Sequence, residues 1–402
     1  MAYSAITIHD GAYIMKNMKL WVLVGIVAIS GFSQGMLMPL IAIIFEQDGL
    51  SSSINGLHAT GIYIGILLIS PFMEKPLQKF GFKPTIIFGG LIVIASLALF
   101  PVWKSLWFWF ILRLLIGIGD NMLHFGTQTW ITSFSTTGNR GRNIALYGLF
   151  FSFGFAIGPL MTRLLEVHES LPFIISSALS LAAWVTIFFI RNEFPDPDAK
   201  SASSLLSSFK RFGQVWKYAW VAFLPPFGYG FLEATLNGNF PVYALRIGID
   251  VKAVSIILPA FALGSIVFQM PLGLLSDRYG RQRVLPVIML GGFITFILAG
   301  ILENSGTALF ICFFVAGMLV GSTYSLGISY MADLLPRQLL PAGNIMCSVL
   351  FSFGSISGPF IGGLTIQYLK GISFFYFISI MLLCIFVGLI LFKSKKETEA
   401  TS

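Results

Sequence analysis

Residues 150–159 read FFSFGFAIGP and residues 350–359 read LFSFGSISGP, so Phe, Ser, Phe, Gly, Gly and Pro recur at the same relative places two hundred positions apart. The chain that carries them has 402 residues, 56% of them hydrophobic and only 10% charged, with a mean hydropathy of +0.85. An apolar chain that repeats itself at a fixed offset implies two related halves. Its apolar runs repeatedly reach the roughly 20 residues needed to cross a bilayer. In hydrocarbon every backbone polar group must be paired within the protein, and 41 Gly and 18 Pro spread through 3.6-residue periods fit helices better than the polar-apolar alternation of barrel strands.

The expected fold is therefore an all-α membrane protein, with twelve transmembrane helices in two pseudo-symmetric six-helix bundles. In the first half the spans fall near 18–46, 54–73, 84–103, 105–134, 143–166 and 170–190. The second half gives 217–246, 252–275, 284–302, 306–332, 341–367 and 372–392. This predicts an N-terminal tail over 1–17, a bundle over 18–191, a linker over 192–216, a second bundle over 217–392 and a tail over 393–402. The linker, NEFPDPDAKSASSLLSSFKRFGQVW, breaks the apolar pattern with Pro, Asp, Ser and Lys and reads as interfacial, with one amphipathic helix. Residues 1–14 fit no span and are given no function.

Basic residues set the orientation, because loops rich in Lys and Arg stay cytoplasmic. With both termini inside, 19 Lys and Arg fall on the cytoplasmic side against five on the other. The net charge of +8 then reflects topology and anionic headgroups rather than a nucleic-acid footprint. Cys312, Cys347 and Cys384 lie inside predicted spans and read as small buried hydrophobes, and neither His58 nor His168 has metal-ligand company. There is no Walker lysine motif, no GxSxG elbow and no zinc spacing, which argues against an ATP-driven pump or a membrane hydrolase. The expectation is a non-enzymatic protein of the cell membrane without metal or cofactor, working as a monomer.

After the eighth span the chain reads GLLSDRYGRQR, with Gly273, Asp277, Arg278, Gly280, Arg281 and Arg283. This resembles the G-x-L-x-D-R-x-G-R-R/K signature of the major facilitator superfamily, and with the span count and the repeat the resemblance covers nearly the whole chain. It implies alternating access between two bundles, with this loop as a cytoplasmic gate. Gly273 is expected to let two helices approach and Gly280 to permit a tight turn. The Arg residues would pair with Asp277 or with headgroup phosphates, and Asp277 would face the start of span 5 near Gly141. The first-half copy, ISPFMEKPLQKFGFKP, keeps Gly81, Lys79 and Lys83 but puts Gln78 where the acid should stand, with Glu74 a substitute one turn earlier.

Span 4 carries RLLIGIGDNMLHFGTQ, whose Arg113, Gly117 and Gly119 resemble the R-x-x-x-G-x-G pattern associated with coupling in proton-coupled members. Spacing alone puts Arg113, Gly117, Asp120 and His124 on one helical face. Ionisable groups at bilayer depth are costly unless paired or facing a wet cavity. Either they serve coupling, or Arg113 and Asp120 form a static ion pair while His124 donates to a carbonyl. In span 5, Gly154, Gly158 and Pro159 resemble the glycine and proline motif of drug-proton antiporters. Gly354, Gly358, Pro359, Gly362 and Gly363 of span 11 form a fuller copy. Small residues and proline suit tight packing and bending against a partner from the other half.

Span 7, PPFGYGFLEATLNGNFPVYALRIG, is the least regular, with Glu233 near its middle and Asn237 and Asn239 within two turns. An acid at that depth can exchange a proton or meet a cationic substrate, or it can act as a neutral structural donor. Its pseudo-symmetric partner, span 1, has Gln34 but no acid. Gln128, Gln269, Tyr324, Asn344 and Trp130 are weaker cavity-lining candidates, of residue types that also pack or cap.

Three functional readings follow. The first is proton-coupled export of a small amphipathic or cationic compound, driven by the proton gradient through Asp120 and Glu233. The second is uptake or export of a specific metabolite, a sugar or an organic anion, with Arg113 binding the anion and Asn237, Asn239 and Gln34 supplying hydrogen bonds. The third is a non-transporting membrane sensor or lipid-handling scaffold. Fold alone does not choose among them.

Overall fold

The computed structural model describes the backbone of residues 2–135, 139–195 and 205–392, and their side chains from residue 17 onward except at 74, 140, 141, 205–211, 337 and 341. The expected C-terminal tail and part of the linker lie outside the described residues. Twelve helical segments follow one another: α1 (Asn17–Gln47), α2 (Ser52–Phe72), α3 (Phe82–Leu99), α4 (Leu106–Phe134), α5 (Arg142–Glu166), α6 (Leu171–Phe189), α7 (Leu224–Arg246), α8 (Val251–Tyr279), α9 (Arg281–Ile301), α10 (Gly306–Leu334), α11 (Ala342–Tyr368) and α12 (Phe374–Leu391). Among the described residues there is no strand. All except α7 are both long and apolar enough to cross a membrane.

Burial accounts for the exception. Of the 23 residues of α7, 17 are buried, so the helix has little surface to offer lipid and can carry Pro241, Asn237 and Asn239. Elsewhere large apolar side chains face outward, among them Trp107, Met270 and Phe189, each more than 70% exposed. A belt of that kind is stable only against hydrocarbon.

Two expected boundaries move. The first helix runs without a break from Ala2, so residues 2–14, expected outside any helix, continue α1 backwards. Span 7 begins at Leu224 rather than near 217, because a separate helix, Leu205–Ala219, and a short 3-10 turn, Trp220–Phe223, precede it. Pro225 and Pro226 then open α7, where a missing N–H costs nothing.

The chain condenses into two compact units, Met1–Leu37 with Ile64–Ser201, and Met38–Tyr63 with Ala202–Ser402. The division therefore falls inside α1 and α2 as well as near the linker. In the first unit, α1 and α5 touch through glycines. A Cβ on Gly154 would lie 1.9 Å from the Ala28 carbonyl oxygen, and one on Gly31 would lie 2.3 Å from that of Phe151. Behind them Phe100 stacks on Phe173 at 4.8 Å, and Trp109 Nε1 donates to the Phe100 carbonyl at 3.1 Å.

The second unit repeats the device between α7 and α11. A Cβ on Gly230 would meet the Phe351 carbonyl oxygen at 2.2 Å, and one on Gly354 would meet that of Phe227 at 2.1 Å. The start of α2 lies against the same helix, with Gly56 beneath the Pro359 carbonyl and Gly363 beneath that of Ser52. Arg246 at the end of α7 holds Glu46 at the end of α1 with a two-pronged ion pair, at 2.7 and 3.1 Å. The repeated glycine motif thus packs each helix first against a neighbour in its own unit. Within the second unit the contact between α11 and α2 does bring in a partner from the other half of the sequence.

Gly154→Val and Gly354→Val should each cost about 1–3 kcal/mol by overpacking. The expected result is a thermal-melting midpoint several degrees lower in detergent. Gly148→Ala, where nothing lies within 4 Å of the added carbon, should leave the midpoint unchanged or slightly raised.

Candidate functional site

The polar centre of the first unit is built from α1, α4 and α5. Asp120, 1% exposed, accepts a hydrogen bond from Ser30 Oγ to its Oδ1 at 2.7 Å. Ser30 Oγ also lies 3.2 Å from His124 Nε2, and Gln34 Nε2 reaches the same imidazole nitrogen at 3.2 Å. The other ring nitrogen, His124 Nδ1, meets the Tyr147 hydroxyl at 2.6 Å, and Phe151 sets its edge against the ring at 5.1 Å. Asp120 Oδ2 is buried without a hydrogen-bond partner.

Asp120 and His124, which spacing puts on one face of span 4, share Ser30, and Gln34 reaches His124 from span 1. The static pair of Arg113 with Asp120 does not form: the polar contact of Asp120 is Ser30, while Arg113, fully buried two turns earlier, donates through Nη2 to the Leu37 carbonyl at 3.4 Å. Nor does His124 donate to a carbonyl; its partners are side chains. Ser30 and Tyr147 escaped the sequence reading. Ser30 sits one turn before Gln34 on the same face of span 1, a signal that was available.

In the second unit Tyr229, Glu233 and Asn237 share one face of α7. Glu233 is half-buried, and among the described residues its carboxyl makes no hydrogen bond or ion pair. Tyr229 belongs to a three-ring cluster with Tyr324 of α10 and Phe351 of α11, with centroids 5.3–6.3 Å apart. Asn237 Nδ2 donates to the Glu233 carbonyl at 2.9 Å and so satisfies its own helix. Asn239 points elsewhere: wholly buried, it donates to the Pro359 carbonyl at 3.1 Å and ties α7 to α11. Its expected place in a binding cavity is replaced by a structural one, because an offset of six residues carries it off the face of Glu233.

The loop between α8 and α9 turns at Gly280, whose φ of +85° suits glycine as expected. Arg281 forks onto Asp333 at the end of α10, at 2.9 and 2.8 Å, and also donates to Asp277. Arg278 lies over the Tyr279 ring at 5.5 Å, and Arg283 is exposed. Nothing lies within 4 Å of the carbon a side chain at Gly273 would add, so no close helix approach occurs there.

The first-unit copy is held from outside the motif. Asn192 straddles the turn at Gly81, donating to the Phe80 carbonyl at 2.9 Å and accepting from the Lys83 amide at 3.0 Å. Glu193 accepts from Trp130 Nε1 at 2.6 Å and pairs with Lys19. The acid missing at Gln78 has its counterpart in a residue that reads, in sequence, as the start of a linker. The side chain of Glu74, the expected substitute, lies outside the described residues, as do the surroundings of Gly141.

Twelve helical spans, lipid-facing apolar surfaces and buried acids define a membrane transporter rather than an enzyme. A family model of the major facilitator superfamily matches residues 23–253 and 226–402. The chain is 57% identical over 386 residues to the uncharacterized MFS-type transporter YfkF of Bacillus subtilis strain 168, covering 96% of this chain and 98% of that protein. It is 26% identical over 365 residues to multidrug resistance protein 1 of the same organism, with coverage of 87% and 90%. Its fold is that of the nucleoside transporter NupG, with a TM-score of 0.72 at 15% identity and coverage of 94% and 100%. A bacterial homologue of the human lysosomal transporter Spinster gives 0.71 at 15% identity, with coverage of 94% and 95%. The chain belongs to the major facilitator superfamily and is a multi-pass membrane transporter of small molecules.

Among the described residues Arg281 alone joins Asp277 and Asp333, so Arg281→Ala should leave the two acids without that link. Transport is expected to fall by at least about tenfold with normal expression, whereas Arg281→Lys, which keeps the charge without the fork, should fall less.

Proposed function

We propose that the protein exports small amphipathic or cationic compounds by alternating access, with a proton gradient as the driving force and no bound cofactor. The observation that carries this is the pair of mid-span acids, Asp120 in one unit and Glu233 in the other, neither of which has a cationic partner among the described residues. An acid kept in that state at membrane depth is costly, and such groups mark ion and substrate routes. Beside Glu233 stand the rings of Tyr229, Tyr324 and Phe351, whose faces attract apolar and cationic molecules. The likeness to a multidrug resistance protein supports the same reading. The protein would work as a monomer in the cell membrane, with both termini cytoplasmic on the distribution of Lys and Arg.

Arg113, the residue that the reading as an anion transporter needs, is fully buried in the first unit and donates through Nη2 to the Leu37 carbonyl.

Purified protein in liposomes with an internal pH dye should move protons when challenged with lipophilic cations, and not with sugars or organic anions. Glu233→Gln should lower that response by at least about tenfold. An anion-evoked response that needs Arg113 would replace this reading with metabolite transport. Silence to every class would favour a sensor or scaffold.

A further inference from the structure

Asp120 does not stand among groups that could receive a transported molecule. Its free oxygen, Oδ2, is buried at the wall of a narrow cavity between α1, α3, α4 and α6, lined by Ser30, Gly90, Val93, Ser180 and Trp184. The cavity has a volume of about 20 Å³. Binding sites for organic ligands measure about 300–1,000 Å³, whereas one water needs about 10–15 Å³. Trp184, whose Nε1 donates to the Ile87 carbonyl at 2.9 Å, closes one side and packs directly on Gly90, where a Cβ would lie 2.3 Å from its ring.

A bare metal cation is a poor occupant. It needs a cage of several oxygens. These walls offer one free carboxylate oxygen and hydroxyls already engaged, Ser30 with Asp120 and Ser180 with Ser33 at 3.1 Å. Among the described residues no group of three His, Cys, Asp or Glu could hold a metal.

We propose that Asp120 is a closed site for one proton, sharing its cavity with a single water, and that Tyr147, His124 and Ser30 form the path by which the proton reaches it. The titratable groups facing Asp120 are His124 on its own helix and, through it, Tyr147 on α5. The groups that α1, α3 and α6 present are hydroxyl, amide, indole and apolar. Ser30 gives its one hydrogen to Asp120, so it accepts from His124 Nε2 in the tautomer that carries its hydrogen there, with the Gln34 amide turned so that its oxygen faces that nitrogen. A proton taken up by His124 Nδ1 from the side of Tyr147 lets the Nε2 hydrogen pass to Ser30 Oγ and the Ser30 hydrogen pass to Asp120 Oδ1. The carboxylate becomes a neutral acid, Ser30 is again a hydroxyl and His124 is neutral in its other tautomer.

Proton and cargo then occupy different units, with the proton at Asp120 and the cargo at Glu233. This division of labour rests on the proton-coupled reading, but its test needs no transport.

Infrared difference spectra of the purified full chain, recorded after a pH jump without cargo, should show a carboxylic-acid band that Asp120→Asn removes. Tyr147→Phe, which acts on the path without touching the acid, should keep the amplitude of the band and slow its appearance by at least about tenfold, and Ser30→Ala, which also removes a hydrogen bond to Asp120, should slow it too. A purely structural role for Tyr147 would not separate rate from amplitude. Adding tetraphenylphosphonium should leave the Asp120 band in place in Glu233→Gln. The proposal is overturned if the band survives in Asp120→Asn, if sodium at constant pH erases it, if the cation displaces it, or if both path variants react at the wild-type rate. Should Asp120→Asn fail to fold, the two path variants still decide. Proton coupling without an Asp120 band defeats this assignment alone, and an Asp120 band without cargo-driven flux defeats only the proposed function.

Discussion

Hydrocarbon offers no hydrogen bonds, and this one fact orders the structure. Each backbone must close its own ladder, and each polar side chain must find a partner inside the protein. Helices can therefore approach one another only where side chains are absent. The glycines at 31 and 154 and at 230 and 354 bring backbones together without leaving an amide exposed. Of the polar groups that remain inside, Asn239 ties α7 to α11 through the Pro359 carbonyl, whereas Asp120 Oδ2 is left without a partner.

The fold was legible because its two signals are strong and independent. Hydropathy sets the number of spans, and the repeat at 150–159 and 350–359 sets the number of bundles. The loop between α8 and α9 was legible in part: Gly280 takes its positive φ and Arg281 holds Asp277 as expected, but Gly273 meets no neighbour and Asp333 gave no signal in sequence. Less of the candidate site could be read. The periodicity of α4 placed Asp120 beside His124, but contacts between helices have no sequence period, so Ser30 and Tyr147 stayed hidden in stretches that read as packing. Asn239 was misplaced for another reason: it lies near Glu233 in sequence, but six residues along α7 carry it off the face of Glu233. Glu193 was hidden for a different reason: a Pro- and Asp-rich surrounding looks like linker even where its first residues lock onto Trp130 and Lys19.

The two halves repeat a packing rule and differ in their polar content. Both place a glycine-faced helix, α5 or α11, against the opening helix of their own half. The half that starts with α1 keeps its acid on α4, enclosed, whereas the half that starts with α7 keeps its acid on the opening helix, beside aromatic rings. A duplicated scaffold can diverge in this way because the glycine contacts fix the backbone while the polar positions are free to change.

The heavy burial of α7 also bears on how the protein is made. A helix with three prolines, two asparagines and a glutamate partitions poorly into lipid by itself, and charged or amide groups near a helix centre oppose insertion. On the ribosome α7 emerges before α11, the helix whose glycines will receive it. Its entry into the bilayer must therefore be held open until later spans arrive. The polarity of α7 thus makes the assembly of the second unit wait on the helices that will bury it.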